Sequence, residues 1–253
     1  MREPTLSYRI LGDGPPLLLI HGFGVSFNIW RELTPLLAPH FQLILIELPG
    51  IGSSPLPAAH ISYTESSVAA IESVRQKLGI PKWSLLAYSI GAGVGVAYAA
   101  AHPAKTDKLL LLSPPLLRGW RWWGLRSLLW LDKQRPAIGD WMLSGWRLYW
   151  LVALIGFNGR PVALTREWVD EIATQPLPAL KAVLREYLPA PALLDAIGEE
   201  TPLLCGQRDF VSVRPPHHRP NVVWFAGDHS GLMQMAQPVA GMAVQMLADR
   251  GRS

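Results

Sequence analysis

Along this chain, apolar runs of strand length alternate with stretches whose apolar residues return at helical spacing. Residues 6–11, 17–20, 41–48, 83–87, 108–112, 202–205 and 222–225 read as strands. Gly12-Asp13-Gly14 reads as the tight turn of a hairpin between the first two. Trp30, Leu33 and Leu37 mark a short helix. Ser62-Tyr63-Thr64-Glu65 is a capping box, and it opens a helix with Val68, Ile71, Val74 and Leu78 on one face, closed by Gly79 and Pro81. Residues 90–101 are mostly small, as suits a helix lying close to a sheet, and Pro103 ends it. Pro238 starts a last helix carrying Val239, Met242, Met246 and Leu247. Strands that are almost continuously apolar, alternating with helices, predict a mostly parallel sheet covered on both faces, an α/β fold.

The rhythm breaks at Pro114-Pro115. From Leu116 to about Leu194 no strand is evident, and tryptophan is dense: Trp120, Trp122, Trp123, Trp130, Trp141, Trp146, Trp150 and Trp168. This stretch reads as short helices broken by Gly and Pro, an insertion at 116–195 into a core formed by 1–115 and 196–253. Most of the eight tryptophans are expected to pack the inserted helices on each other and on the core.

Composition narrows the function classes. With 253 residues, 49% of them hydrophobic and 17% charged, the chain can bury a sizeable core. A net charge of +4 is too mild to argue for nucleic acid. The single cysteine, Cys205, forms no internal disulfide and reads as a small buried strand residue. The N-terminus lacks the apolar core of a signal peptide, and the apolar run 148–157 is too short to span a bilayer. The expectation is a cytoplasmic protein with no integral membrane segment.

The candidate chemistry lies at the strand ends. Ala87-Tyr88-Ser89-Ile90-Gly91 sits between a strand and a small-residue helix, close to the G-x-S-x-G turn that exposes a serine hydroxyl, with Ala87 one methyl larger than the pattern. Residues 17–20 run into His21-Gly22-Phe23-Gly24, a loop suited to bringing a backbone N–H near a ligand, or simply a glycine turn. A serine hydroxyl needs a base within hydrogen-bond reach, and that base needs a third group to fix its tautomer. Ser89, Asp209 and His229 stand in that order at the ends of strands. Rival histidines are His102, explained as a helix cap, and His217-His218, which lack metal-ligand spacing. Rival acids are Asp228, next to His229, and Asp132 or Asp140 within the insertion. No nucleotide loop or metal motif is evident, so no cofactor and no metal are expected.

With these pieces in order, the sequence resembles the α/β-hydrolase superfamily, in its serine-nucleophile branch. His21 to Gly24 match the oxyanion loop, and Glu47-Leu48-Pro49-Gly50-Ile51-Gly52-Ser53-Ser54 the D-x-P-G-x-G-x-S loop, with Glu47 in place of Asp. Ala87 to Gly91 match the nucleophile elbow, Gly206 to Asp209 the acid turn, and Gly227 to Ser230 the histidine loop. The insertion falls where that family carries its cap. The resemblance implies Ser89 as nucleophile, His229 as general base then acid, Asp209 as orienting acid, and the N–H groups of Phe23 and Ile90 as the oxyanion hole. Two departures stand out. Asp209 and His229 are only twenty residues apart, so the helix joining the last two strands is expected to be short or missing. Asp228 stands where a small residue is commoner, placed to tune the histidine or to touch substrate.

A serine at the elbow argues against the dehalogenase and epoxide-hydrolase branches, which use Asp there. The leading reading is hydrolysis of a small-molecule carboxylic ester through an acyl-enzyme. Lactonase, thioesterase, carbon–carbon hydrolase and acyltransferase or perhydrolase chemistry share the same groups, and a ligand receptor on the same scaffold is the non-enzymatic alternative. The layout is similar to small bacterial carboxylesterases, including those that cleave pimeloyl-carrier-protein methyl ester. The insertion is expected to close an apolar pocket over Ser89, with Tyr88, Trp122, Trp123 and Trp146 as candidate substrate contacts, and so to favour hydrophobic acyl groups. Its cations Arg118, Arg121, Arg126, Lys133 and Arg135 would suit an acidic carrier protein or a membrane surface. The simpler reading, that they solubilise an aromatic helix, is preferred.

Overall fold

In the computed structural model, residues 5–57, 61–116, 119–160, 162–187, 198, 200–212 and 221–248 are described, without the side chains of 119, 121, 122 and 125. Seven strands form one sheet: β1 (Tyr8–Leu11), β2 (Pro16–Ile20), β3 (Gln42–Ile46), β4 (Trp83–Tyr88), β5 (Thr106–Leu112), β6 (Leu203–Gly206) and β7 (Val222–Phe225). Their order across the sheet is β1-β3-β2-β4-β5-β6-β7, and every pairing is parallel except that of β1 with β3. All six residues of β4 are buried, which requires cover on both faces of the sheet. The covering helices include α1 (Thr34–Leu37), α2 (Tyr63–Lys77), α3 (Gly91–Ala101), α9 (Gly231–Gln234) and α10 (Ala236–Ala248). They pack in pairs, α2 with α3 and α1 with α10. The capping box at Ser62 and Glu65 forms at the start of α2, and Cys205 is a buried residue of β6.

The expected hairpin between β1 and β2 does not form. Leu17 to Ile20 of β2 are fully buried, and β3 and β4 occupy its two edges. No edge remains for β1, which pairs instead with the outer side of β3, Tyr8 opposite Ile46.

Among the described residues, five helices stand between β5 and β6: α4 (Gly119–Gln134), α5 (Ala137–Met142), α6 (Gly145–Phe157), α7 (Ala163–Ala173) and α8 (Leu177–Tyr187). Carboxylates dock α7 and α8 on the core. Glu171 of α7 accepts from the backbone N–H of Ser26 at 2.9 Å and from its hydroxyl at 2.5 Å, just beyond the loop after β2. Glu186 of α8 accepts from the backbone N–H groups of Tyr63 and Thr64 at 2.6 and 2.8 Å, at the N-terminus of α2, where negative charge is favourable. The boundary at 195/196, Arg118, His217 and His218 lie outside the described residues, as does most of the segment between β6 and β7.

The tryptophans depart from expectation. Trp168 is buried, but Trp120, Trp123, Trp130, Trp141, Trp146 and Trp150 are all exposed. The reason is helical phase: leucine and valine already fill the inward faces of α4 and α6, and the tryptophans fall on the outward ones.

Candidate active site

The sheet reverses direction of growth between β2 and β4: β3 is added on one side of β2, and β4 to β7 on the other. Loops leaving adjacent C-terminal strand ends diverge at such a point and leave a crevice. Ile20 pairs with Ala87, so the loop after β2 and Ser89 after β4 leave the sheet side by side. Ser89 has φ 53°, a left-handed conformation that is strained for a serine and turns its hydroxyl out between strand and helix. The turn is tight enough that a Cβ on Gly91 would lie 2.2 Å from the carbonyl oxygen of His21. Any larger residue there would drive α3 away from the β2 loop.

The other two side chains arrive from β6 and β7. His229 Nε2 is 2.8 Å from Ser89 Oγ, and His229 Nδ1 is 2.9 and 3.1 Å from the two carboxylate oxygens of Asp209. Asp209 also accepts from the backbone N–H of Val211 at 2.9 Å and of Ser212 at 3.3 Å. Burial on its own would favour the neutral acid, but the neighbouring imidazole and these hydrogen bonds outweigh it and hold the carboxyl below its ordinary range. Asp228 does not compete. Its Oδ1 accepts from the backbone N–H and hydroxyl of Ser230, at 3.0 and 2.5 Å. Tyr88 lies under the imidazole, ring centroids 5.1 Å apart, and its hydroxyl donates to the His229 carbonyl at 2.8 Å.

Beside the serine, no described hydrogen bond engages the backbone N–H of Phe23 or Ile90. His21 sets that loop. Its Nδ1–H donates to the Gly22 carbonyl at 2.8 Å, and its Nε2 accepts from the Leu48 N–H at 2.8 Å. Both nitrogens are used by a neutral ring. Complete burial lowers its pKa to about 4, against a smaller upward effect of the Gly22 carbonyl. The unfolded chain therefore binds a proton at His21 between pH 6.5 and 4 that the folded chain does not. Folding stability should fall by about 3 kcal/mol across this window as pH drops. Denaturant titrations of wild type and His21→Gln should show a shallower pH slope for the variant, and equal slopes would refute the assignment.

Ser89 and His229 open on a cavity whose wall is apolar: Val25, Leu128, Leu148, Val152 and Trp168 contribute, with Tyr88 beside the serine. The buried pair Asp132–Lys181, at 2.8 Å, also borders it, and Arg185 and Asp140 complete that ion cluster. Among the described residues no group of three His, Cys, Asp or Glu side chains is placed to hold a metal ion.

A family model for the alpha/beta hydrolase fold matches residues 15–143. The chain belongs to the α/β-hydrolase family. This hydrolase is 30% identical over 207 residues to a pimeloyl-[acyl-carrier protein] methyl ester esterase of Aeromonas hydrophila, covering 79% of this chain and 76% of the relative. Among solved structures, a hydrolase from Oleispira antarctica superposes with a TM-score of 0.74 at 19% identity, covering 96% of this chain and 94% of that one. A meta-cleavage product hydrolase from Pseudomonas fluorescens does so with a TM-score of 0.72 at 19% identity, covering 97% and 95%. At such identities the likeness speaks for the fold alone.

Of the residues singled out from sequence, the hydrolase brings together Ser89, Asp209, His229, Phe23, Ile90 and Tyr88. Trp123 and Trp146, expected in the pocket wall, are 62% and 67% exposed on outward helix faces and take no part in it. The Trp122 side chain lies outside the described residues. Sequence reasoning missed His21 as the clip of the β2 loop and the Asp132–Lys181 pair in the cavity wall. The signal for His21 was its place directly before Gly22, but its partner Leu48 lies in another strand's loop. Nothing local joins Asp132 to Lys181.

Proposed function

We propose that this α/β hydrolase cleaves carboxylic esters of hydrophobic acyl groups through an acyl-enzyme on Ser89, with α4 to α8 as the cap over the acyl side. His229 takes the serine proton as the hydroxyl oxygen bonds to the acyl carbon, and then gives it to the departing alcohol. Water, deprotonated by the same imidazole, then releases the acid. Asp209 holds the tautomer in which Nδ1 carries the proton and Nε2 faces the serine, and it stabilises the imidazolium. The N–H groups of Phe23 and Ile90 would receive the oxyanion of each tetrahedral intermediate. The observation that carries this reading is the unbroken line Asp209–His229–Ser89, at 2.9 and 2.8 Å, opening on an apolar cavity. The ester-cleaving relative in Aeromonas supports an ester over the lactone, thioester or carbon–carbon alternatives.

The acyl preference is testable with a homologous series. Each methylene that enters the apolar wall adds about 0.8 kcal/mol, or about fourfold in kcat/KM. The rate constant should climb from acetyl to medium-length esters and fall once the cavity is full. Esters of charged or sugar-like acids should be poor, because the charged part of the wall, Asp132–Lys181, is already paired with itself. A flat profile, or better turnover of charged acyl groups, would refute the assignment of this cavity to the acyl chain. A panel of lactones and thioesters assayed beside the esters ranks the remaining chemistries.

A further inference from the structure

We propose that the outer face of the helical insertion docks on an anionic lipid surface. On α4, Trp120, Trp123 and Trp130 are 74, 62 and 60% exposed. At about 100° per residue they fall within about 80° of one another, while Leu128 and Leu129 of the same helix turn to the cavity. On α6, Trp146, Trp150 and Leu154 follow at four-residue steps along one stripe, all exposed, while Leu148 and Val152 line the cavity. Between these helices α5 packs against both and adds exposed Trp141. The Arg147 guanidinium stands 4.3 Å from the Trp141 ring centroid and 5.5 Å from that of Trp146, so the rings of α5 and α6 form one patch. A helix that faces water carries polar residues on its outer side. Here three consecutive helices carry six exposed indoles, those of Trp141 and Trp146 joined through Arg147, and exposed apolar surface of this kind marks an interaction site.

Charge decides the occupant. From residue 119 to 157 the chain has the cations Arg121, Arg126, Lys133, Arg135 and Arg147 but only the acids Asp132 and Asp140. Asp132 is buried, and Lys181 engages both acids. Indoles sit well at the headgroup level of a bilayer, apolar body inward and N–H toward water, and cations among them meet anionic headgroups. An acidic protein would satisfy the cations but would need a matching apolar face broad enough to cover indoles spread over three helices. A second copy of this chain would cover the indoles but bring like charges together. A lipid surface satisfies both, and it would lie against the outer side of the helices that wall the cavity.

Sedimentation of the full chain with phosphatidylcholine vesicles, with and without phosphatidylglycerol, tests this. Binding to the phosphatidylglycerol vesicles is expected, with a blue shift of tryptophan emission and quenching by brominated lipid. Trp130→Ser with Trp150→Ser, and separately Lys133→Glu with Arg135→Glu, should each weaken partitioning by about tenfold, with unfolding midpoints near wild type. Ser89→Ala should bind as wild type does, because docking uses the outer face and not the triad, so failure of the esterase reading leaves this result intact. Absence of binding to anionic vesicles would overturn the proposal. So would unchanged binding by the tryptophan variant, or protection of the indoles by an acidic carrier protein or by self-association while vesicles are ignored.

Discussion

Ser89→Ala is expected to lower kcat for ester hydrolysis by about a thousandfold or more, with the fold unchanged. Alanine keeps the Cβ that the positive-φ turn already accommodates, and it removes only the oxygen 2.8 Å from His229 Nε2. Among the described residues no other hydroxyl is hydrogen-bonded to His229 Nε2, so what remains is the contribution of the backbone N–H donors and of binding. A fluorophosphonate probe should label the wild type, and peptide mass spectrometry should place the adduct on Ser89. An adduct on another serine, or an unlabelled but folded wild type, would sink the nucleophile and revive a non-catalytic receptor.

Asp209→Asn should come next in size, costing about a thousandfold or more, because an amide can donate to Nδ1 and so stabilise the wrong tautomer. The same change at Asp228 should cost little. The Asp228 carboxylate accepts from Ser230, and its loss loosens one turn of the histidine loop without touching the imidazole. The comparison is sharp because the two acids flank one histidine, one reaching its ring through the fold and the other adjacent in sequence. A more damaging Asp228→Asn would reverse the assignment.

How much of this was legible beforehand follows the range of each interaction. Val222–Phe225 and the capping box at Ser62 were readable because their signals are local: apolar continuity, or a side chain reaching three residues ahead. The strained turn at Ser89 was readable for the same reason, since small residues must stand where strand and helix nearly touch. Partners of β1 were not readable. Whether Tyr8–Leu11 pairs with β2 or β3 depends on which edges of β2 are already occupied, and that is settled by Trp83–Tyr88, more than sixty residues away.

The insertion shows the limit most clearly. Its helical character and its wealth of tryptophan were plain, and so was an apolar wall facing the serine. Composition could not say which apolar residues form that wall. Helical phase against the core assigned it to leucine and valine and turned six indoles outward. By itself, then, the sequence determined the alternating α/β rhythm, its break into helices after β5, and the order of serine, acid and histidine at strand ends. Tertiary structure alone decided that Asp228 turns to Ser230 instead of His229, that His21 clips the β2 loop to Leu48, and that six of the tryptophans face out. The last two of those rest on contacts between segments far apart in the chain, whose geometry exists only once the sheet has brought their ends together.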